Sequence, residues 1–140
     1  MRLFAIVVGL SCLFFGTAFA KFPEASEDVR AKAVEAALKS QPETVIVYAK
    51  GLCCPSCAIG VRKMVSRLPF VDSSDANQGV VLDAKHQLVT VQLRKGTKVN
   101  AEQIGKAIDD AGYAPVKLYR YVNGKVVSEL LVVKNALWVD

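Results

Sequence analysis

Between residues 44 and 122 the apolar residues switch repeatedly between strand and helix spacing, and few folds accept the resulting order. Thr44-Val45-Ile46-Val47-Tyr48-Ala49 is β-branched and aromatic, which predicts a buried strand. A loop, Lys50 to Cys57, leads into a predicted helix over Ser56 to Leu68. Ile59, Met64, Val65 and Leu68 share its apolar side, Arg62, Lys63 and Arg67 face out, and Pro69 ends it. Asp72 to Gly79 is polar loop chemistry. Val80 to Asp83, the turn Ala84 to Gln87, and the alternating Leu88 to Leu93 predict a hairpin. Asn100 can cap a helix running to Ala111, with Ile104, Ala107, Ile108 and Ala111 on one face and Gly112 as C-cap. Val116 to Val122 is the last strand of the unit.

Strand, helix, strand, strand, helix, strand is the split βαβ order of an α+β, ferredoxin-like βαββαβ sandwich. By analogy with that fold the strand order is 4-1-3-2. Three loops then share one end: the cysteine loop, the Ala84 to Gln87 turn, and Gly112 to Pro115. Two additions flank the unit. Residues 21–43 form an N-terminal helical extension. Ser26 is its N-cap, Gln41-Pro42 stops it, and its apolar face is mostly alanine, which predicts weak packing. Residues 123–140 form a C-terminal extension. Asn123-Gly124 is a strong hairpin signal there, and a strand over Val126 to Val133 follows it. No internal repeat or low-complexity tract is apparent.

The chain has 140 residues, and its 52% hydrophobic content is inflated by the first 20. Residues 3–20 carry no charge and follow Arg2, and Ala18-Phe19-Ala20 supplies a small-x-small cleavage site. This reads as a secretory signal peptide cut near Ala20. An uncleaved anchor is the alternative, and a lipoprotein reading at Cys12 is weak because Gly9 stands where an aliphatic residue is wanted. Residues 21–140 suit one compact domain in a periplasmic or secreted, oxidising setting. That length excludes a TIM barrel, a kinase or a two-domain enzyme, and the lack of a second long apolar run excludes a polytopic membrane protein. Cys53, Cys54 and Cys57 are left, an odd number that cannot all pair internally.

Cys54-Pro55-Ser56-Cys57 is a C-x-x-C at a strand-to-helix junction. Its two sulfurs can converge on one soft ion or close into a small disulfide. A helix N-terminus lowers a nearby thiol pKa, and the thiolate is both ligand and nucleophile. Soft-metal capture, a thioredoxin-like periplasmic dithiol/disulfide oxidoreductase and an inert structural disulfide all fit the motif alone.

Gly51-Leu52-Cys53-Cys54-Pro55-Ser56-Cys57, with Gly112-Tyr113 after the second helix, resembles the heavy-metal-associated (HMA) domain family. Its signature, G-M-x-C-x-x-C, follows the first strand of a βαββαβ fold, and an aromatic or lysine is common after the second helix. Gly51, Cys54, Cys57 and Tyr113 match, and Leu52 replaces a methionine. Cys53 takes the variable position. With a signal in front, the closest type is the periplasmic mercury-binding protein. The resemblance covers residues 44 to 121. It implies a carrier of Cu(I) or Hg(II), with Cys54 and Cys57 as ligands and transfer to or from a protein such as a membrane transporter. The chain departs from the family in its long Asp72 to Gly79 loop, in both extensions and in the Cys-Cys run.

Cys53 is a third thiolate or an idle loop residue; adjacent side chains of an extended loop point apart. Tyr113 is a lid over the metal loop or a packing aromatic, and Gly51 and Leu52 support the loop from behind. His86 is read as a solvated turn residue rather than a ligand. Structural zinc is disfavoured, because it wants four ligands. Arg62, Lys63 and Arg67 are a solubilising face or a docking face for an acidic partner. Trp138 is read as a packing anchor. No catalytic triad, phosphate loop or paired-carboxylate pattern is present, so the protein is not expected to be an enzyme. Nucleic-acid binding is not expected either, and the chain is expected to be a monomer.

Overall fold

The computed structural model describes residues 22–54, 56 and 58–133. The expected signal peptide, Pro55, Cys57 and Trp138 lie outside the described residues. Eight elements follow one another: α1 (Glu27–Ser40), β1 (Thr44–Lys50), α2 (Ala58–Val65), β2 (Val80–Asp83), β3 (Leu88–Gln92), α3 (Ala101–Asp110), β4 (Ala114–Val122) and β5 (Lys125–Leu130). They build one sheet in the order β2-β3-β1-β4-β5, antiparallel throughout. Omitting β5 leaves the expected 4-1-3-2 order of the ferredoxin-like α+β fold.

The central place of β1 explains its composition. Val45, Val47 and Ala49 point into one core, shared with Val61 and Val65 of α2 and Ile104 and Ile108 of α3. Ile46 points the other way, into a second core with Val34 and Leu38 of α1, Leu88 and Tyr119. A strand buried on both faces has no polar alternation, which is why its sequence reads as a continuous apolar run.

The second core corrects the expectation of a weakly packed N-terminal helix. Val34 and Leu38 are buried completely despite the alanine-rich composition of α1. The small side chains of Ala33 and Ala37 flank this contact and allow close approach to the sheet. Lys117 Nζ, 3.1 Å from Glu27 Oε1, ties the start of α1 to β4. Ser26 does stand at the N-cap, but its side chain makes no capping bond.

Smaller departures have local causes. Helix α2 is shorter than the predicted Ser56 to Leu68. Past Val65 the chain tightens, with Leu68 N–H bonding to Val65 O at 3.1 Å, because the residue before Pro69 is disfavoured in the α conformation. Strand β4 begins at Ala114 rather than Val116, since Ala114 and Pro115 pair with Lys50 and Ala49. Proline is tolerated at a strand's beginning. Strand β5 ends at Leu130, where Val126 to Val133 was expected; the Leu131 N–H still bonds to Val116 O at 2.9 Å. The Asn123-Gly124 turn forms as predicted, with both residues at positive φ.

Candidate metal-binding loop

The three loops expected at one end do meet there. Gly51 opens the cysteine loop at φ +89°, and a side chain added to it would reach Tyr113 Cδ1 at 3.8 Å. Leu52 is completely buried in the main core and anchors the loop from below. Cys53 and Cys54 are half-buried above it. Cys53 is a free thiol, whereas Cys54 is disulfide-bonded. Ser56 Oγ lies 3.4 Å from Cys54 Sγ. Cys57, the other predicted ligand, lies outside the described residues. No acidic residue occupies the first turn of α2, so the helix supplies no carboxylate of its own to offset its positive end.

Tyr113 is presented by the end of α3. Gly112 N–H bonds to Asp109 O at 2.8 Å and Tyr113 N–H to Ile108 O at 3.2 Å, with Gly112 at φ +94°. This is the paired bonding of a Schellman cap. The ring packs against the main core. Burial, and secondarily the charge of Cys53, pushes its hydroxyl above the usual tyrosine range. Tyr113 is therefore both a packing aromatic and a neighbour of the cysteine loop.

His86 is engaged elsewhere. Its Nδ1 lies 2.5 Å from Asp83 Oδ2 and its N–H bonds to Asp83 Oδ1 at 3.1 Å. Among the described residues no cluster of three or more His, Cys, Asp or Glu side chains could hold a metal ion.

A groove of about 530 Å³ runs beside Cys54 and is lined by Phe22, Leu52, Ile59, Arg62, Asp83 and Lys85, among others. Ile59 is 71% exposed at its edge. Arg62 is not simply a solubilising residue, since its Nε donates to Val80 O at 3.2 Å and fastens α2 to β2. Lys63 and Arg67 are exposed.

Sequence reasoning missed Gln87 and the residues ahead of α1. Gln87 is 1% exposed and stands at φ +55°. Its Oε1 accepts the Ala25 N–H at 2.9 Å, and its Nε2 donates to Ala84 O at 2.8 Å and to Pro23 O at 3.3 Å. Arg30, also buried, donates to Ala25 O at 2.7 Å and His86 O at 3.2 Å, and lies 3.6 Å over the Tyr48 ring. The Tyr48 hydroxyl bonds to Glu24. Nothing in the local pattern of a turn glutamine announces its hold on Pro23 and Ala25, because those two partners are more than 60 residues away in sequence.

A βαββαβ unit that offers a cysteine loop at the head of its first helix defines a heavy-metal-associated domain protein. No protein-family model matches the chain. A mercuric transport protein periplasmic component from Salmonella typhi is 32% identical over 81 residues, covering 58% of this chain and 81% of that protein. The protein of the same description from Acinetobacter calcoaceticus is 32% identical over 71 residues, 51% of this chain and 70% of its own length. Among solved structures a CopZ metallochaperone aligns over 52% of this chain and 98% of its own, at 25% identity and a TM-score of 0.43. The chain belongs to the family of mercuric transport periplasmic components.

Proposed function

We propose that this protein captures one soft metal ion between the thiolates of Cys54 and Cys57 and passes it to another protein. The observation that carries this reading is the position of Cys54. It sits half-exposed on a groove, in the loop between the central strand β1 and helix α2, with a second cysteine three residues on. Soft thiolates select soft ions, and kinship with mercuric transport components favours Hg(II), with Cu(I) the other candidate. Transfer proceeds by thiolate exchange. An incoming thiol loses its proton to solvent and forms a third metal–sulfur bond. One original metal–sulfur bond then breaks, and the released thiolate takes up a proton, with no change of oxidation state.

The disulfide at Cys54 is the oxidised form of the loop, and metal capture requires its reduction. The reading places the protein in the periplasm after cleavage near Ala20, as a monomeric, non-enzymatic carrier. Arg62, Lys63 and Arg67 then flank the loop as a face for an acidic surface of a transporter.

Native mass spectrometry is the test. Reduced protein should bind one Hg(II) or Cu(I) per chain, oxidised protein none, and Cys54→Ser with Cys57→Ser should lose tight binding. Full affinity in the double variant overturns the assignment. Catalytic turnover of a dithiol substrate that vanishes in Cys54→Ser would favour the oxidoreductase instead. Cys53→Ser should keep one-to-one binding but slow transfer if Cys53 is a third thiolate.

A further inference from the structure

We propose that Phe22 and Gln87 are positioning residues for the cysteine loop, acting through a strap made of residues 22–25. The inference rests on the metal-carrier reading for its consequence, though not for its geometry. Gln87 is the fastener. Its side chain holds the strap at Ala25 N–H and Pro23 O, while its own carbonyl accepts the Ala49 N–H at 3.0 Å, at the end of β1 that leads into the loop. Arg30 adds a second hold at Ala25 O and a longer one, 3.5 Å, to Glu24 Oε1. So fastened, the strap delivers the Phe22 N–H to Cys53 O at 3.0 Å. The Phe22 side chain lines the same groove as Cys54.

The cysteine loop is thus pinned from two sides. Leu52 holds it to the core from below, and the strap holds the Cys53 carbonyl from the N-terminal side. An incoming sulfur needs the loop to yield and the groove to open. The strap therefore governs how readily the loop thiols are reached and how fast a bound ion is handed on. A residue in front of α1, outside the βαββαβ unit, becomes part of the exchange apparatus.

Two variants separate the amide from the ring without touching either core. Phe22→Pro removes the N–H donated to Cys53, whereas Phe22→Ala keeps it. The first readout is the alkylation rate of Cys53 in the oxidised, metal-free processed protein, in alkaline buffer where the thiol is ionised in every variant. The expected result is a rise of about fivefold in Phe22→Pro, the factor one lost backbone hydrogen bond gives, and less than about twofold in Phe22→Ala. Gln87→Ala should match Phe22→Pro, and if it fails to fold the Phe22 pair decides. The second readout is the rate at which Hg(II) passes from the reduced, loaded protein to dithiothreitol, which should rise in the same order. Unchanged alkylation in Phe22→Pro overturns the strap. Raised alkylation with unchanged Hg(II) transfer overturns its role in exchange. Raised alkylation in a protein that binds no metal overturns the carrier reading and leaves the strap standing.

Discussion

Gly79 shows how much one residue can settle. Its φ is +71°, and a Cβ there would stand 2.1 Å from the Asp72 carbonyl oxygen. Its N–H bonds to Asp75 Oδ1 at 2.6 Å, and its carbonyl accepts the Gln92 N–H at 2.8 Å. The long polar loop is therefore built, and it is tied to β3 by its own last glycine. Gly79→Ala should cost at least about 2 kcal/mol, read as a fall in the urea midpoint. Tyr48 gives a second prediction. Burial first, then its bond to Glu24, pushes its hydroxyl up to about 12 from an ordinary 10.0. The unfolded chain ionises there first. Tyr48 thus supports folding fully below pH 10, and that support is lost as pH rises from 10 toward about 12. Wild type should lose stability across that window more steeply than Tyr48→Phe, and equal slopes would contradict the assignment.

At the scale of elements, α1 is where composition misled. An alanine-rich face predicts weak packing if each alanine is judged by the area it buries. Here the alanines serve as clearance, and Val34 and Leu38 supply the contact with Ile46, Leu88 and Tyr119. Leu38→Ala should therefore cost about 2–5 kcal/mol, the range for a completely buried leucine. The same helix would lose far less if it were a loose appendage, so chemical denaturation of this variant distinguishes the two. Strand β1 and helix α3 were legible for the opposite reason. Their signals, a β-branched run and an Asn100 cap whose side chain accepts the Gln103 N–H at 3.0 Å, act within a few residues. Helix α2 stops three residues short of the expected Leu68, and β4 starts two residues before the expected Val116 because Ala114 pairs with Lys50, a tertiary contact.

At the scale of the molecule, the sheet carries helices on both faces, with α2 and α3 on one and α1 on the other. A ferredoxin-like unit alone would leave Ile46, Leu88 and Tyr119 uncovered. Removal of residues 21–43 should lower the thermal midpoint by more than about 5 °C and promote self-association through the bared face. An unchanged midpoint with a monomeric product would show that α1 is dispensable. The sequence by itself determined the order of elements, the hairpin turns and the C-x-x-C at the mouth of a helix. Each of those is set by period, cap or spacing within a short stretch of chain. Only the tertiary structure decided that α1 closes the second face and that Gln87 fastens the residues ahead of α1 beside the cysteine loop. Those depend on which groups meet across many tens of residues, and a buried polar side chain takes its partners from the packing around it rather than from its neighbours in sequence.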